Sequence, residues 1–450
     1  MQTQIERREY PRTNIELPVA LGSGISCKTS DISESGIGFV SQKPIPLNVT
    51  RAKLIISEAV SIECDIDVVW NTKCTENNEY KYGACLKDIK PEDTALLRNT
   101  LIDVTIDKFA KTITDDSARS RFERFFLTEV DEYISKVIDI TRRLKYSGIS
   151  KDLANEEFFK CTDEVLEKAE DLESSVKQKR ELKQAKHFFR TIISHWIYKG
   201  KIVKRAFDKP RGYPGDYGSI EQIYDNKPLS ENIGYHSDAY FLANEYAVAV
   251  RNRKERIKDI ISEFIDKSNL SSFKVLNVAC GSCRELREMF KDKTSISKKV
   301  ILNLLDHDAE ALEFSKKTLP KIDGLELNFI KEDIMKLSKN SPFAEKLKGQ
   351  DLIYSLGLCD YLPDRVLKKL ICFCLSALSV KGSLVLTHKD INNSRPIAPD
   401  WFCDWKFYPR TEEEFTNLIF SAKDGVFIKN VAREASNKIL FVIAQNKYGV

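Results

Sequence analysis

Residues 275–289 read VLNVACGSCRELREM. An apolar run stops at Ala279-Cys280-Gly281-Ser282-Cys283, and a helical pattern follows. Two chemistries fit this stretch. Cys280 and Cys283 form a C-x-x-C, which between a strand and a helix is how a thioredoxin-like dithiol site reads. The same residues are also a glycine-poor form of the strand-to-helix turn that binds a nucleotide. The nucleotide reading makes a demand elsewhere: an acidic residue should end the next strand and reach the ribose hydroxyls. Asp306, in LNLLDHD, stands 25 positions after Gly281, where about twenty are expected. A third strand, LNFIKEDI, ends at Asp333, where a carboxylate can accept from an adenine amino group. A fourth, DLIYSLGLCDYLPD, ends in a Gly and aromatic turn. Successive strand ends thus carry suitable residues at the carboxyl edge, where such sheets bind ligands. A dithiol unit requires none of them. If neither chemistry operates, Cys280 and Cys283 are small buried turn residues.

A second constellation stands near the N-terminus. ERREYPR spaces Arg8 and Arg12 as R-x-x-x-R, with Arg7 beside them. Some twenty residues on, DISESG presents Asp31, Ser33 and Gly36 as D-x-S-x-x-G. The arginine fork suits phosphate oxygens and the O6/N7 edge of guanine. Asp and Ser add short polar contacts, and Gly admits close backbone approach. The combination is a grip for a guanine nucleotide with phosphates. Taken singly, each motif reads as a charged tail or a surface turn.

The elements that must position these residues fall into three stretches of a 450-residue chain. Residues 1–105 read as short strands and turns, with Ile62, Cys64, Ile66 and Val68 on one face, and suggest a small β-barrel. Residues 106–205 read as helices forming a bridging region. Phe122, Phe125, Phe126, Val130, Tyr133, Ile134, Val137, Ile138 and Leu144 make a 3.6-residue stripe. Further stripes run through Phe158–Val176 and Phe188–Ile197. Residues 206–450 open with KPRGYPGDYGS and then alternate strand and helix, which predicts a parallel, doubly wound α/β (Rossmann-like) sheet. The fold class is therefore multidomain.

Hydrophobic content of 42% and charged content of 31% describe globular protein. A net charge of +4, with both signs mixed throughout, does not argue for a nucleic-acid polymer as partner. No apolar run spans a bilayer, and the first residues carry no apolar signal core. Eleven cysteines at irregular spacings read as free thiols. The cytoplasm is the default location. No metal site is expected, and a homodimer is allowed.

The phrase ERREYPRTNIELPV, with DISESG, resembles the PilZ domain, a six-stranded bacterial barrel that binds cyclic di-GMP. The resemblance covers about residues 5–105. It implies that Arg8 and Arg12 hold phosphates and guanine, that Asp31, Ser33 and Gly36 cradle the other side of guanine, and that Arg7 lies nearby. Residues 270–450 resemble the class I S-adenosylmethionine (SAM)-dependent methyltransferases. Their first turn normally reads acidic-x-Gly-x-Gly-x-Gly; here Asn277, Ala279 and Cys283 replace the acid and two glycines, and Gly281 remains. The resemblance implies Ala279 and Gly281 on the methionine and ribose side, with Asn277 beside them. It places Asp306 on the ribose, Asp333 by the adenine, and Leu358 or Asp360 near the methyl donor. KPRGYPGDYGSIEQIYDN (209–226), YFLANEYAVAVRNRKERI (240–257), HKDINNSRP (388–396) and DWKFYPRTEEEF (404–415) resemble the methyltransferases that make 3-hydroxy fatty acid methyl esters. Arg211–Asp216 is then expected to form part of a lid, with Arg211 toward the cofactor.

The joined expectation is a cyclic di-GMP-responsive methyltransferase with SAM as cofactor and a small or lipid-like acceptor, a hydroxy fatty acid carboxylate being the candidate. A carboxylate acceptor needs no general base; an O–H or N–H acceptor calls for one. Tyr213, His236 and Tyr361 are the catalytic candidates, with His388 also flanking the expected site. Two alternatives remain: a non-catalytic cyclic di-GMP effector built on a degenerate methyltransferase fold, and a dithiol oxidoreductase, which requires a depressed Cys280 pKa.

Overall fold

The computed structural model describes residues 14–33, 35–45, 50–74, 79–111, 113–176, 178–334, 345–393 and 396–447. Arg7, Arg8 and Arg12 lie outside them. The chain divides into two compact units, one of residues 1–199 and 231–236, the other of residues 200–230 and 237–450.

In the first unit, β1 (Pro18–Leu21), β2 (Ser26–Ser33), β3 (Gly36–Ser41), β4 (Thr50–Ile55), β5 (Ser61–Cys74) and β6 (Glu79–Lys87) close a barrel in the order β1-β2-β3-β6-β5-β4. The period-2 alternation of β5 drives this closure. Ile62, Cys64 and Ile66 are fully buried and meet Ile32, Ile37, Phe39 and Leu54 inside the barrel. The β1–β4 pairing leaves no free sheet edge. Helix α1 (Pro91–Ala110) adds Leu97 and Leu101 to the same core.

Helices α2 (Asp116–Arg124) and α3 (Asp131–Tyr146) are joined by a π-helical turn, Phe125–Val130. The expected stripe is buried from Phe122 to Ile138, and Leu144 is half-buried. The wider π turn lets Phe125 and Phe126, adjacent in sequence, both face the core. Helices α4 (Lys151–Ser175) and α5 (Lys179–Ile197) complete this part, and the Ser150 side chain caps α4 at the Leu153 N–H.

The second unit is a seven-stranded sheet flanked by helices. In chain order the helices after α5 are α6 (Lys201–Asp208), α7 (Tyr217–Asp225), α8 (Asn232–Ala243), α9 (Glu245–Lys267), α10 (Arg284–Phe290) and α11 (Ala309–Thr318). Its strands are β7 (Ser272–Val278), β8 (Ser295–Asp306), β9 (Asp323–Lys331), β10 (Gln350–Ser355), β11 (Leu378–Lys389), β12 (Val426–Arg433) and β13 (Ile439–Asn446), in the order β12-β13-β11-β10-β7-β8-β9. Strands β7 to β11 run parallel; β13 is antiparallel to both β11 and β12. The expected all-parallel sheet is thus a mixed one. Strand β12 was not anticipated from sequence. It is an edge strand whose side chains are mostly half-buried, so its apolar alternation is weak. The architecture is a doubly wound α/β sheet with an antiparallel hairpin at one edge. Apolar layers cover both faces, one with Leu276, Ile353 and Leu384, the other with Val275, Leu302 and Tyr354. Strand order reverses between β7 and β10, which makes their carboxyl ends the switch point where open sheets take ligands. Among the described residues no helix is long and apolar enough to cross a membrane.

Candidate functional site

A cavity of about 320 Å³ opens at this switch point. Its walls bring together Tyr213, Asn277, Ala279, Gly281, Asp306, Asp333, Leu358 and Tyr361, all of them sequence candidates. The turn after β7 explains how a glycine-poor sequence serves here. Ala279, Gly281 and Cys283 all hold positive φ, at 56°, 55° and 49°. The three positions where the resemblance calls for glycine are therefore left-handed, although two are not glycine. A non-glycine residue there costs about 1–2 kcal/mol. A network offsets that strain. The Gly281 N–H donates to Asp306 Oδ2 (2.8 Å), the Cys280 N–H to the Leu305 carbonyl (3.0 Å), and Ser315 Oγ to the Gly281 carbonyl (2.8 Å).

Asp306 is buried, and its Oδ1 accepts the Asp308 N–H at 2.9 Å. A carboxylate has about four acceptor positions; besides the two N–H groups, His307 Nδ1 lies 3.4 Å from Oδ1, and acceptor capacity remains for a ligand's hydroxyl. Asn277 lines the cavity with its amide already engaged. Its Nδ2 lies 3.0 Å from Glu285 Oε1 and 2.8 Å from the Tyr354 hydroxyl, which donates to the same Glu285 oxygen at 2.7 Å.

Residues the sequence reading passed over also line the cavity, among them Tyr224, Arg253, Glu285 and Lys389. Lys389 Nζ pairs with Asp360 Oδ2 at 2.9 Å and lies 3.9 Å from the centre of the Phe407 ring. The same carboxylate accepts the Lys389 N–H and meets His388 Nδ1, each at 2.9 Å. Burial alone would raise the Asp360 carboxyl. The Lys389 charge and the His388 contact outweigh it and hold the group well below the usual range. Burial pulls the Lys389 ammonium down, against the opposing charge of Asp360. Asp360 and His388 thus hold Lys389 in place, and Lys389 is the member of the three that reaches the cavity.

Tyr361 and Tyr213 are walls of low acidity. Burial raises both phenols, aided by Asp360 for Tyr361 and by Asp306 for Tyr213. Trp405 Nε1 donates to the Tyr361 hydroxyl at 2.7 Å. Neither phenol is poised to act as a base near neutral pH.

Besides Asp360 and His388, two candidates are not cavity walls. His236 belongs to the first unit, with Nδ1 2.6 Å from Asn155 Oδ1. Burial, with the charge of Lys151, pulls its pKa to about 4. It is a packed polar residue and is not among the cavity walls. Arg211 does not line the cavity either. Its Nε donates to Asp308 Oδ2 (2.9 Å) and its Nη1 to Glu310 Oε1 (2.7 Å), at the start of α11 (Ala309–Thr318). It therefore ties down the loop that carries Tyr213 and Gly215 into the wall. Lys209 anchors the same loop to Asp404 at 3.1 Å. Asp216 caps α7 (Tyr217–Asp225) through the Ser219 N–H, and Arg205 grips both its oxygens at 2.8 and 2.9 Å.

The C-x-x-C is not arranged for redox chemistry. Both thiols are buried, and the Cys283 contact together with burial pushes the Cys280 thiol up. A nucleophilic cysteine needs the opposite shift.

On the barrel, Ser33 Oγ donates to the Gly36 carbonyl at 3.2 Å, closing the β2–β3 hairpin. Ser33 is buried there, so its hydroxyl serves the turn. The Asp31 carboxylate lies over Gly38, where an added Cβ would fall 2.4 Å from it. Cross-strand pairing runs from Asp31 to Gly38, Gly83 and Trp70. The half-exposed Trp70 indole lies over Gly83. Only residues without a side chain permit this bare strip between a carboxylate and an aromatic face. A lone exposed tryptophan on a strand was the available sequence signal for Trp70.

Residues 6–103 match the family model of the PilZ domain. No curated protein matches the chain. Among solved structures, the chain is similar to a possible exported protein from Bordetella parapertussis, at 18% identity over 52% of this chain and 79% of that one, with a TM-score of 0.40. It is similar to the inhibitor of motility from Bacillus subtilis at 22% identity, over 23% of this chain and 53% of that one, with a TM-score of 0.22. It is also similar to a TehB-like SAM-dependent methyltransferase from Corynebacterium glutamicum, at 14% identity over 44% of this chain and 97% of that one, with a TM-score of 0.29. The fold assignment stands on strand order and register, not on these likenesses.

Proposed function

We propose that the chain is a cyclic di-GMP-responsive, SAM-dependent methyltransferase, with a hydroxy fatty acid carboxylate as the acceptor class. One observation carries the reading: a PilZ domain shares the chain with a sheet whose switch-point cavity gathers the left-handed turn, Asp306, Asp333 and Leu358. The cavity residues fit the cofactor. The Gly281 position is open, with Tyr217 Cβ 4.0 Å from where a Cβ would stand. Asp306 keeps acceptor capacity, as counted above. Ala279 and Gly281 would bring backbone close to the ligand, Asp306 would take ribose hydroxyls, and Asp333 would face the adenine.

Bound SAM supplies an electrophilic methyl on a sulfonium. Tyr213, Tyr361 and Trp405 wall the space beside it and exclude water, which is the main contribution a methyl-transferring site makes besides alignment. A carboxylate acceptor arrives ionised and needs no base, consistent with phenols of low acidity in the wall. Lys389, held against Asp360, lines the same cavity and lies over the Phe407 ring.

The rival reading, a non-catalytic cyclic di-GMP effector, is favoured by the loss of the acid and two glycines. The retained left-handed geometry at all three turn positions supports the enzyme. The deciding experiment is calorimetric titration of the whole protein with SAM, with and without saturating cyclic di-GMP. Micromolar binding that changes with cyclic di-GMP is the expected result; absence of SAM binding on folded protein favours the effector.

A further inference from the structure

The charged groups lining the cavity are sorted by side. Its acids are Glu285, Asp306 and Asp333. Glu285 is in the helix that follows β7, Asp306 ends β8, and Asp333 follows β9, all on one side of the switch point. Its arginine and lysine are Arg253 and Lys389, and they stand on the other side. Lys389 is the last residue of β11. The Arg253 guanidinium lies over Gly357, just past the end of β10, where an added Cβ would stand 2.6 Å from Nη1. The acidic side holds the groups expected on the ribose and adenine of the cofactor. The cationic side is left for the acceptor.

Aromatic rings surround the Lys389 end. Tyr361 and Trp405 are cavity walls. Phe241 stacks on Trp405 with ring centres 6.3 Å apart, and Tyr246 stacks on Phe407 at 5.6 Å. Lys389 Nζ lies 3.9 Å from the centre of the Phe407 ring and 5.6 Å from that of Tyr246. A cation this deeply buried has lost its water and needs compensation. Asp360 supplies part of it, but that carboxylate is shared. It also accepts the Lys389 N–H and meets His388 Nδ1. An ammonium has three N–H donors. Among the described residues, Asp360 is the one hydrogen-bond acceptor that Lys389 Nζ meets. Arg253 sets a like charge against the same ammonium. Two desolvated cations and one shared carboxylate, beside aromatic rings, suit a ligand with an apolar body and a single negative charge.

We propose that Lys389 selects and orients the acceptor, its ammonium binding one oxygen of the acceptor carboxylate while the other oxygen faces the methyl group. This deepens the function proposed above and rests on it. The second oxygen forms the new C–O bond as the sulfonium C–S bond breaks and its electron pair goes to sulfur. A carboxylate and a sulfonium become an ester and a thioether, so no proton moves. The ester carries no charge, and Lys389 therefore holds the product less tightly than the substrate.

Acceptors that differ only in charge provide the test, read by calorimetry on the full chain saturated with S-adenosylhomocysteine. 3-Hydroxyoctanoate carries the carboxylate; 3-hydroxyoctanamide is its neutral counterpart. Wild type is expected to bind the acid about ten-fold or more tightly than the amide, the scale of one charge-assisted hydrogen bond. Lys389→Met keeps the apolar stem and removes the charge. It is expected to weaken the acid about ten-fold or more and to leave the amide and S-adenosylhomocysteine within about two-fold. If that variant does not fold, Lys389→Gln, which keeps a donor for Asp360, is read in its place with the same expected loss. Equal affinity of wild type for acid and amide overturns the proposal, as does a variant that weakens both alike or neither. A wild type that binds S-adenosylhomocysteine but neither probe overturns it together with the hydroxy fatty acid acceptor class. A wild type that does not bind S-adenosylhomocysteine removes the methyltransferase reading itself.

Discussion

Ala279 shows how single residues carry the site. It occupies a left-handed position where the resemblance calls for glycine. Ala279→Gly relieves about 1–2 kcal/mol of backbone strain and adds about 0.5–1 kcal/mol of unfolded-state entropy. The expected net is a stabilisation of up to about 1.5 kcal/mol, read in urea unfolding. Ala279→Val is expected to destabilise, because a β-branched residue is still less tolerant of that conformation. Asp306 carries a different load. It holds the Gly281 and Asp308 N–H groups and keeps acceptors for a ligand. Asp306→Ala is expected to weaken SAM binding at least about ten-fold, since it removes charge-assisted hydrogen bonds. Unchanged affinity by calorimetry would remove Asp306 from the cofactor site.

Between elements, ion pairs fix the helices that frame the cavity. Glu288 on α10 bonds Lys254 and Lys258 of α9 and Arg284 of its own helix, at 2.6, 3.0 and 2.8 Å. Burial opposes its ionisation, but these cations prevail and pull its pKa from 4.5 to about 2. A depressed acid stabilises the fold above its ordinary pKa and loses that contribution as pH falls through the folded value. Stability is therefore expected to drop as pH falls from about 4.5 to about 2, and Glu288→Gln should flatten that part of the profile in denaturant unfolding. The loop before α7 rests on the Arg205–Asp216 pair, with Asp216 fully buried. Asp216→Ala removes a helix cap and leaves Arg205 unpaired, an expected loss of about 3 kcal/mol. Asp216→Asn keeps a capping oxygen and is expected to lose less. Equal losses would mean that the capping oxygen contributes nothing and that the charge carries the whole effect.

For the whole molecule, the question is whether cyclic di-GMP changes methyl transfer. Within the first unit, Leu97 and Leu101 of α1 share the barrel core, so a change in the barrel is felt by the helix that follows it. We propose that cyclic di-GMP binding, with Arg8 and Arg12 as the expected contacts, acts through these helices. Coupling of this kind is typically about 1–3 kcal/mol, or about five- to 150-fold in affinity. Turnover is expected to change with cyclic di-GMP in wild type and to stop changing in Arg8→Ala/Arg12→Ala, while basal turnover persists. Identical wild-type rates with and without the ligand would remove the regulation and leave the enzyme reading standing.

Local sequence patterns determined a large share of this. The alternation of Ile62, Cys64 and Ile66 specifies a barrel strand, because a period of two places them on one face. The stripe from Phe122 to Ile138 specifies a helix for the matching reason at a period of 3.6. The strand ends at Asp306, Asp333 and Leu358 were legible because a parallel sheet brings its carboxyl ends to one edge whatever its detailed register. Other features depend on residues distant in the chain, and only the tertiary structure decided them. Glu285 meets Asn277 because α10 packs back toward the strand it follows. Lys389 meets Asp360 because β11 runs parallel beside β10, and Trp70 covers Gly83 because of the β5–β6 register. Arg211 was legible as a member of a special loop, but its partners were not. Asp308 and Glu310 lie almost a hundred residues on, and an ion pair at that separation is set by how elements pack, which local spacing does not encode.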